Sequence, residues 1–448
     1  MTESEHHQAR DGWRAGRDER GSALVMAVFV LVLLTAMGAT LLFVSESEMK
    51  TGQVDLRSKT VFYASEAGLE DGRETLRVVN LSGVTAALRA GLNDELTSAA
   101  GPNGLINFDP AALKPVFDAS GDATGFTGYG DDVPLKSMTT FGQGKYAAFL
   151  TNDALDGRAS LNDSNDRVVI TAIGTWPNFS SEIVQAIVER DSFPSMPATI
   201  TMIGPLADFD GGNSNAKKYM GDDCGGSGIP GLSVPVVGVI GNASETHAEA
   251  GVRKPGSYTS GGNTGVDTVT NISGTIDPSW KDCSYLHDLA RNVRAAADIV
   301  GSSSTPNGSL GSAGAAKMVY IEGDYIVGGG TNGVGLLWVT GTLTFNGNAA
   351  WTGTIFTVGK GIFQRSGGGN GKISGANFVA NIAGPDGLMW TADDCSGPDG
   401  VLGNSDDGPA SATYDNSGGG TGDTVYCSSD VSSVQNQFPF AITGFRQR

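Results

Sequence analysis

The chain has 448 residues, a formal net charge of −19 and 66 glycines among 39% apolar residues. A surplus of negative charge on that scale repels phosphate backbones and excludes nucleic acid as a partner. The apolar share excludes a disordered polymer, and glycine at about twice its usual share suggests many short strands joined by tight turns, in two or three folded units.

Residues 1–21 are polar and read as a leader. From Ala23 to Val44 there are 22 residues without a charge, which as a helix would span roughly 33 Å, the thickness of a bilayer core. A cleaved secretory signal would have a shorter apolar run, ended by a small-residue site that is missing here. A buried core helix would tolerate more polar breaks than Thr35 and Thr40. Arg10, Arg14, Arg17 and Arg20 precede the run and Lys50, Arg57 and Lys59 follow it, a bias toward a cytoplasmic N-terminus with the bulk of the chain extracytoplasmic. The helix is expected to continue to about residue 79, because no proline intervenes. Phe62, Leu69 and Leu76 recur every seven residues with Ser65 and Gly72 on the same stripe, a seam for packing against a helix or a sheet.

Residues 80–143 are mixed and unassigned, and 80–193 as a whole is read as an α+β unit. Its strands are expected at Lys145–Leu150, Arg167–Gly174 and Ser180–Arg190, with Asn152–Arg167 as turn chemistry. Pro194 and Pro197 mark a boundary, after which 198–448 is Gly-rich. One helix is expected there over 279–300, begun by Asp277-Pro278-Ser279, with Leu286, Leu289, Val293, Ala296 and Val300 as its apolar face.

Two repeats follow. Val319–Val327, Leu337–Phe345 and Ile355–Phe363 step by 18 residues, each with a glycine at its fifth place (Gly323, Gly341, Gly359), and a degenerate copy starts at Asn377 after a four-residue insertion. Such blocks are the pattern of a stacked β-solenoid, with a sandwich of meandering strands as the competing reading. Then GPDGLMWTADD and GPDGVLGNSDD are related by 13 residues, bringing Asp386, Asp393 and Asp394 into step with Asp399, Asp406 and Asp407. Carboxylates between glycine turns suit a hard cation such as Ca²⁺, though the spacing is not that of an EF-hand; solvated turns are the alternative.

The four cysteines, Cys224, Cys283, Cys395 and Cys427, lie beyond the anchor without CxxC spacing. That fits disulfides in an oxidising compartment better than zinc or free thiols. Three pairings are open; Cys224–Cys283 with Cys395–Cys427 is preferred because each closes a local, glycine-rich stretch. No HExxH or GxSxG occurs and the histidines (His6, His7, His247, His287) are isolated, so no catalytic site is read. Gly328–Gly333 matches GxGxxG by letters, but no helix follows it to hold a pyrophosphate.

Arg20-Gly21-Ser22-Ala23-Leu24 before the apolar run and Val61-Phe62-Tyr63-Ala64-Ser65-Glu66-Ala67-Gly68-Leu69-Glu70 after it resemble the N-terminal region of PilX-type proteins of type IV pilus assembly, over about 55 residues. The resemblance implies a long N-terminal transmembrane helix, a pilin-like antiparallel sheet, and a minor pilin-like subunit of the bacterial inner membrane that primes or caps a type IV-like filament. Its implied partners are other pilin-like subunits, the assembly machinery and a prepilin peptidase cutting between Gly21 and Ser22. Met26 stands where major pilins of the resembled kind carry a glutamate. That departure suits a filament end, and it leaves both a cleaved and an uncleaved anchor open. The expected class is therefore α+β followed by mostly β, with a β-solenoid-like domain over 198–448. The competing functions are a tip adhesin presenting that domain to a surface ligand, and a membrane-anchored extracytoplasmic enzyme.

Overall fold

The structure, a computed structural model, describes residues 19–79, 88, 105–130, 132–190 and 192–447. The leader up to residue 18 and the stretch 80–104 apart from Leu88 lie outside them.

A single helix runs Glu19–Val79, 61 residues, about 90 Å long. The sequence supports it with good helix formers, no proline, and intrahelical pairs such as Lys50–Glu46 at 2.7 Å and Lys59–Asp55 at 2.8 Å. It is long and apolar enough to cross a membrane, and its residues 22–59 are exposed throughout. From Val61 onward it changes role. Val61, Ala64, Ser65, Leu69 and Leu76 are buried; of the residues in the seven-residue spacing, Leu69 and Leu76 are buried and Phe62 is half-buried.

That stripe lies on a five-stranded antiparallel sheet, in the order Phe440–Gln447, Ser180–Arg190, Arg167–Trp176, Gly144–Asn152, Lys136–Phe141. The three central strands are those expected from β-branched alternation. The two outer strands are additions. Phe440–Gln447 was expected in the Gly-rich unit, yet it pairs with Ser180–Arg190, Phe440 opposite Arg190. Fully buried Phe440 joins the apolar core under the helix, and this burial draws the strand back. The Gly-rich region is thus an insertion between two adjacent strands, and 198–448 is not a separate C-terminal unit.

The loop before Arg167 is organised by carboxylates accepting backbone N–H groups. Asp163 accepts from Asp166 at 2.9 Å and from Arg167 at 3.3 Å, and burial pushes its carboxyl up to about 6. The folded chain therefore holds this proton more tightly than the unfolded chain, whose carboxyl titrates near the ordinary 3.8. This contribution to stability falls as pH rises from about 4 through about 6 and stays lost above. Asp163→Asn should raise the melting temperature at pH 7.5, and the gain should vanish below about pH 4, as measured by melting curves across that range.

In the insertion the 18-residue repeats pair in parallel. Val319 is opposite Leu337, Leu337 opposite Ile355, and Ile355 opposite Asn377, displaced by the length of the four-residue insertion. The second strands of the repeats form a separate parallel sheet of their own. There the step changes. Tyr325 faces Leu343, but Leu343 faces Phe363 rather than the residue two before it. The corner Gly359–Gly361, with both glycines at positive φ, absorbs the two extra residues. Phe363, Tyr414 and Phe209 continue the inner column, Phe363 on Tyr414 at 4.3 Å and Tyr414 on Phe209 at 5.9 Å. Strand Ile200–Ile203 pairs with Ile373–Asn381, so the first segment of the insertion stacks on the last repeat.

The chain reaches the far end of this stack through a helix, Cys283–Ala296, shorter than the expected 279–300. Asp282 caps it anew through Ser284 N and Tyr285 N. Beyond Ala297 the backbone is extended, and Ile299–Ser302 is an edge strand with Val300 52% exposed, not helical face. Leu286, Leu289, Ala290 and Val293 pack over the outer face of the large sheet on Tyr320, Trp338 and Phe378. The stack is therefore apolar on both sides of that sheet, which explains its unbroken apolar strands.

Candidate functional site

The first candidate is the joint where the exposed helix meets the sheet. Here the backbones approach closely because side chains are missing. A Cβ on Gly174 would meet Ser65 N at 2.4 Å and Val61 O at 2.7 Å, and one on Gly72 would meet the Ala148 Cβ at 2.9 Å. Beside them Tyr146 donates to Asp71 at 2.7 Å, and Lys136 pairs with the same carboxylate at 2.9 Å. Burial, then the Asp71 carboxylate, push the Tyr146 hydroxyl up to about 12, so it stays a donor. The joint fixes where the apolar rod leaves the sheet. Gly21 and Ser22 fall in the first turn of the helix, and Met26 is exposed on it.

The four cysteines form two disulfides, Cys224–Cys427 and Cys283–Cys395. The local pairing preferred from the sequence is overturned. Tyr219–Met220 pairs in parallel with Thr424–Tyr426, which brings Cys224 beside Cys427 although 203 residues separate them. Cys283, at the start of the crossover helix, meets Cys395 at the end of the first aspartate turn.

The aspartate repeats are two copies of one turn. Asp386 Oδ1 accepts from Leu388 N at 2.8 Å, as Asp399 Oδ1 does from Val401 N; Asp394 Oδ2 accepts from Trp390 N at 2.7 Å, as Asp407 Oδ2 does from Gly403 N at 2.8 Å. Asp393 accepts from the Asp386 N–H and the Thr391 hydroxyl, while Asp406 donates its N–H to Asn404. The Thr391 and Asp386 contacts hold the Asp393 carboxyl below its ordinary range. Among the described residues no three of these six carboxylates converge within 4.8 Å; the trio that does is Asp223, Cys224 and Cys427, two of them tied in a disulfide. Five of the six carboxylates, those of Asp386, Asp393, Asp394, Asp399 and Asp407, accept hydrogen bonds from within their own turns.

Sequence reasoning missed what gathers at the first of these turns. Trp390 has φ 74° and is 40% exposed, with the Arg291 guanidinium 5.1 Å over its ring and His287 edge-on at 5.1 Å. Burial pushes His287 down, against the nearby Asp394 carboxylate at 3.4 Å. The turn composition was legible; the crossover helix that lies against it was not.

No family model matches the chain, and no curated protein matches it. Among solved structures, the chain is similar to the competence-associated pilin ComZ from Thermus thermophilus at 12% identity, covering 88% of this chain and 97% of that chain. The TM-score is 0.20, a superposition too poor to assign a fold.

Proposed function

We propose that the protein is a minor pilin-like subunit, inserted in the bacterial inner membrane by its N-terminal helix, that primes or caps a type IV-like filament without catalysis. One observation carries the reading: a single unbroken helix is bare and apolar from Ala23 to Val44, bare and polar to Lys59, and docked on an antiparallel sheet from Val61. An apolar rod projecting from a folded head can be hosted by lipid and, equally, by a bundle of similar helices, since both hosts desolvate it. The PilX-like residues around Gly21 and in Val61–Glu70 point the same way, with a prepilin peptidase acting at Gly21–Ser22 and other pilin-like subunits as partners. We read the paired parallel sheets of the insertion as a β-solenoid. Its attachment through two neighbouring strands favours a second reading, a tip module that meets a surface ligand.

The attachment also supplies the experiment. Arg190 and Phe440 are register partners, about 5 Å apart at Cα, so a two-residue hairpin turn can replace the intervening chain. The shortened chain should keep its helix and sheet, seen as a cooperative melt in detergent. If priming is the role, cells carrying it should still bear filaments, and the head should appear in sheared fibres at low abundance. Loss of attachment with normal filaments would assign the second reading. Loss of filaments with a folded head would place assembly in the insertion and overturn the first.

A further inference from the structure

The sixth residue after the first glycine of each aspartate turn, Trp390 after Gly384 and Gly403 after Gly397, differs in a telling way. The two turns share the bonds to their first and last aspartates, and both take a left-handed backbone at that place, Gly403 at φ 95° and Trp390 at φ 74°. Glycine adopts this conformation freely and a bulky side chain does not. An indole held there and left 40% exposed is opposed by both backbone preference and the hydrophobic effect, and conformations of this kind cluster at binding sites.

The surroundings say what it faces. Trp390 borders an open cavity of about 620 Å³ whose other walls are Arg291, Arg294 and Ala295 of the crossover helix, Val300 of the edge strand and Glu322. Arg294 meets Glu322 at 3.0 Å, and Arg291 reaches Asp288 at 2.6 Å. The charged side chains are wet: Arg291 is 61% exposed, Arg294 52% and Glu322 46%. A ligand entering such a cavity is itself hydrated, so affinity must come from one apolar face and a few charge-assisted hydrogen bonds. A pyranose ring offers that face to the indole. Arg291 and Arg294 each meet one carboxylate, Asp288 and Glu322, but a guanidinium carries five N–H donors, so both can also donate to a carboxylate on the ligand, while Glu322 can accept from sugar hydroxyls.

We propose that Trp390, Arg291, Arg294 and Glu322 form a binding site for a hexuronate residue of an acidic polysaccharide. The site stands on this geometry and holds whether or not the chain enters a filament.

Titration of the full chain in detergent, followed by calorimetry, tests it with trigalacturonate, neutral maltotriose, hexaglutamate and oligothymidylate as probes. Trigalacturonate should bind at millimolar concentration, more tightly than the other three. Trp390→Gly, which installs the residue of the sister turn, should weaken it about tenfold or more while leaving the melting temperature unchanged or higher. Arg294→Gln, at a half-exposed position, should weaken trigalacturonate and leave maltotriose unaffected; it supplies the test if Trp390→Gly melts early. The proposal is overturned if trigalacturonate does not bind, if Arg294→Gln leaves its binding unchanged, or if maltotriose binds as well. Tighter binding of hexaglutamate or oligothymidylate likewise overturns it, in favour of a peptide or a nucleic acid.

Discussion

Gly174→Val should loosen the long helix from its sheet. The valine Cβ would have to occupy space 2.4 Å from Ser65 N, 2.7 Å from Val61 O and 2.9 Å from Ala64 C, all backbone atoms that no rotamer change can move. The helix must lift, which separates the buried Leu69 and Leu76 from Ala148, Ile170 and Ala172. Overpacking of this kind costs about 1–3 kcal/mol and sometimes more; with a rigid helix against a central strand, the upper end or beyond is expected. The measurement is limited trypsin cleavage at Arg73 and Arg77 together with the melting temperature, cleavage rising and melting falling. Gly52→Ala is the control. A Cβ there meets nothing within 4 Å, so it should leave the joint alone and stabilise the helix by up to about 1 kcal/mol. An unchanged melting temperature and unchanged cleavage with Gly174→Val would show that the strand and helix accommodate a Cβ there, and would sink the close-approach argument.

The second large effect is expected at Cys224–Cys427. The bridge closes a loop with a sequence separation of 203 residues, and constraining a long loop in the unfolded chain contributes about 2–5 kcal/mol. Replacing both cysteines by serine should lower the stability of the insertion by that order, and the helix-and-sheet head should melt much as before. The bridge lies at the strand pair Tyr219–Met220 and Thr424–Tyr426, inside the insertion and outside the head's five-stranded sheet. Peptide mapping without reductant checks the pairing directly. A peptide joining Cys224 to Cys283 would contradict the structure.

The two predictions concern features with different visibility in the sequence. The seam on the helix was legible because its period is local: Phe62, Ser65, Leu69, Gly72 and Leu76 announce a face whatever it meets. The central strands were legible for the same reason. The edge strand Phe440–Gln447 was not read from the sequence, and no local signal says that it pairs with Ser180–Arg190 rather than with its own neighbours. The two-residue change of step at Gly359–Gly361 was likewise hidden, because the 18-residue spacing of letters continues across a corner where the backbone takes a longer path. At the candidate ligand site only the aspartate turns were visible. Trp390 gained its meaning from Arg291, Arg294 and Glu322, which come from other elements.

The sequence by itself determined the apolar N-terminal helix, the docked stripe that follows it, the three central strands and the repeat blocks. Each depends on hydrogen bonding and burial between residues close in the chain or repeated at a fixed interval. Tertiary structure alone decided that the Gly-rich region is an insertion, that Cys224 meets Cys427 and Cys283 meets Cys395, and that Trp390 faces two arginines. These are contacts between segments up to two hundred residues apart. They are selected by which apolar faces can be buried together, a choice the whole chain makes and no window of it records.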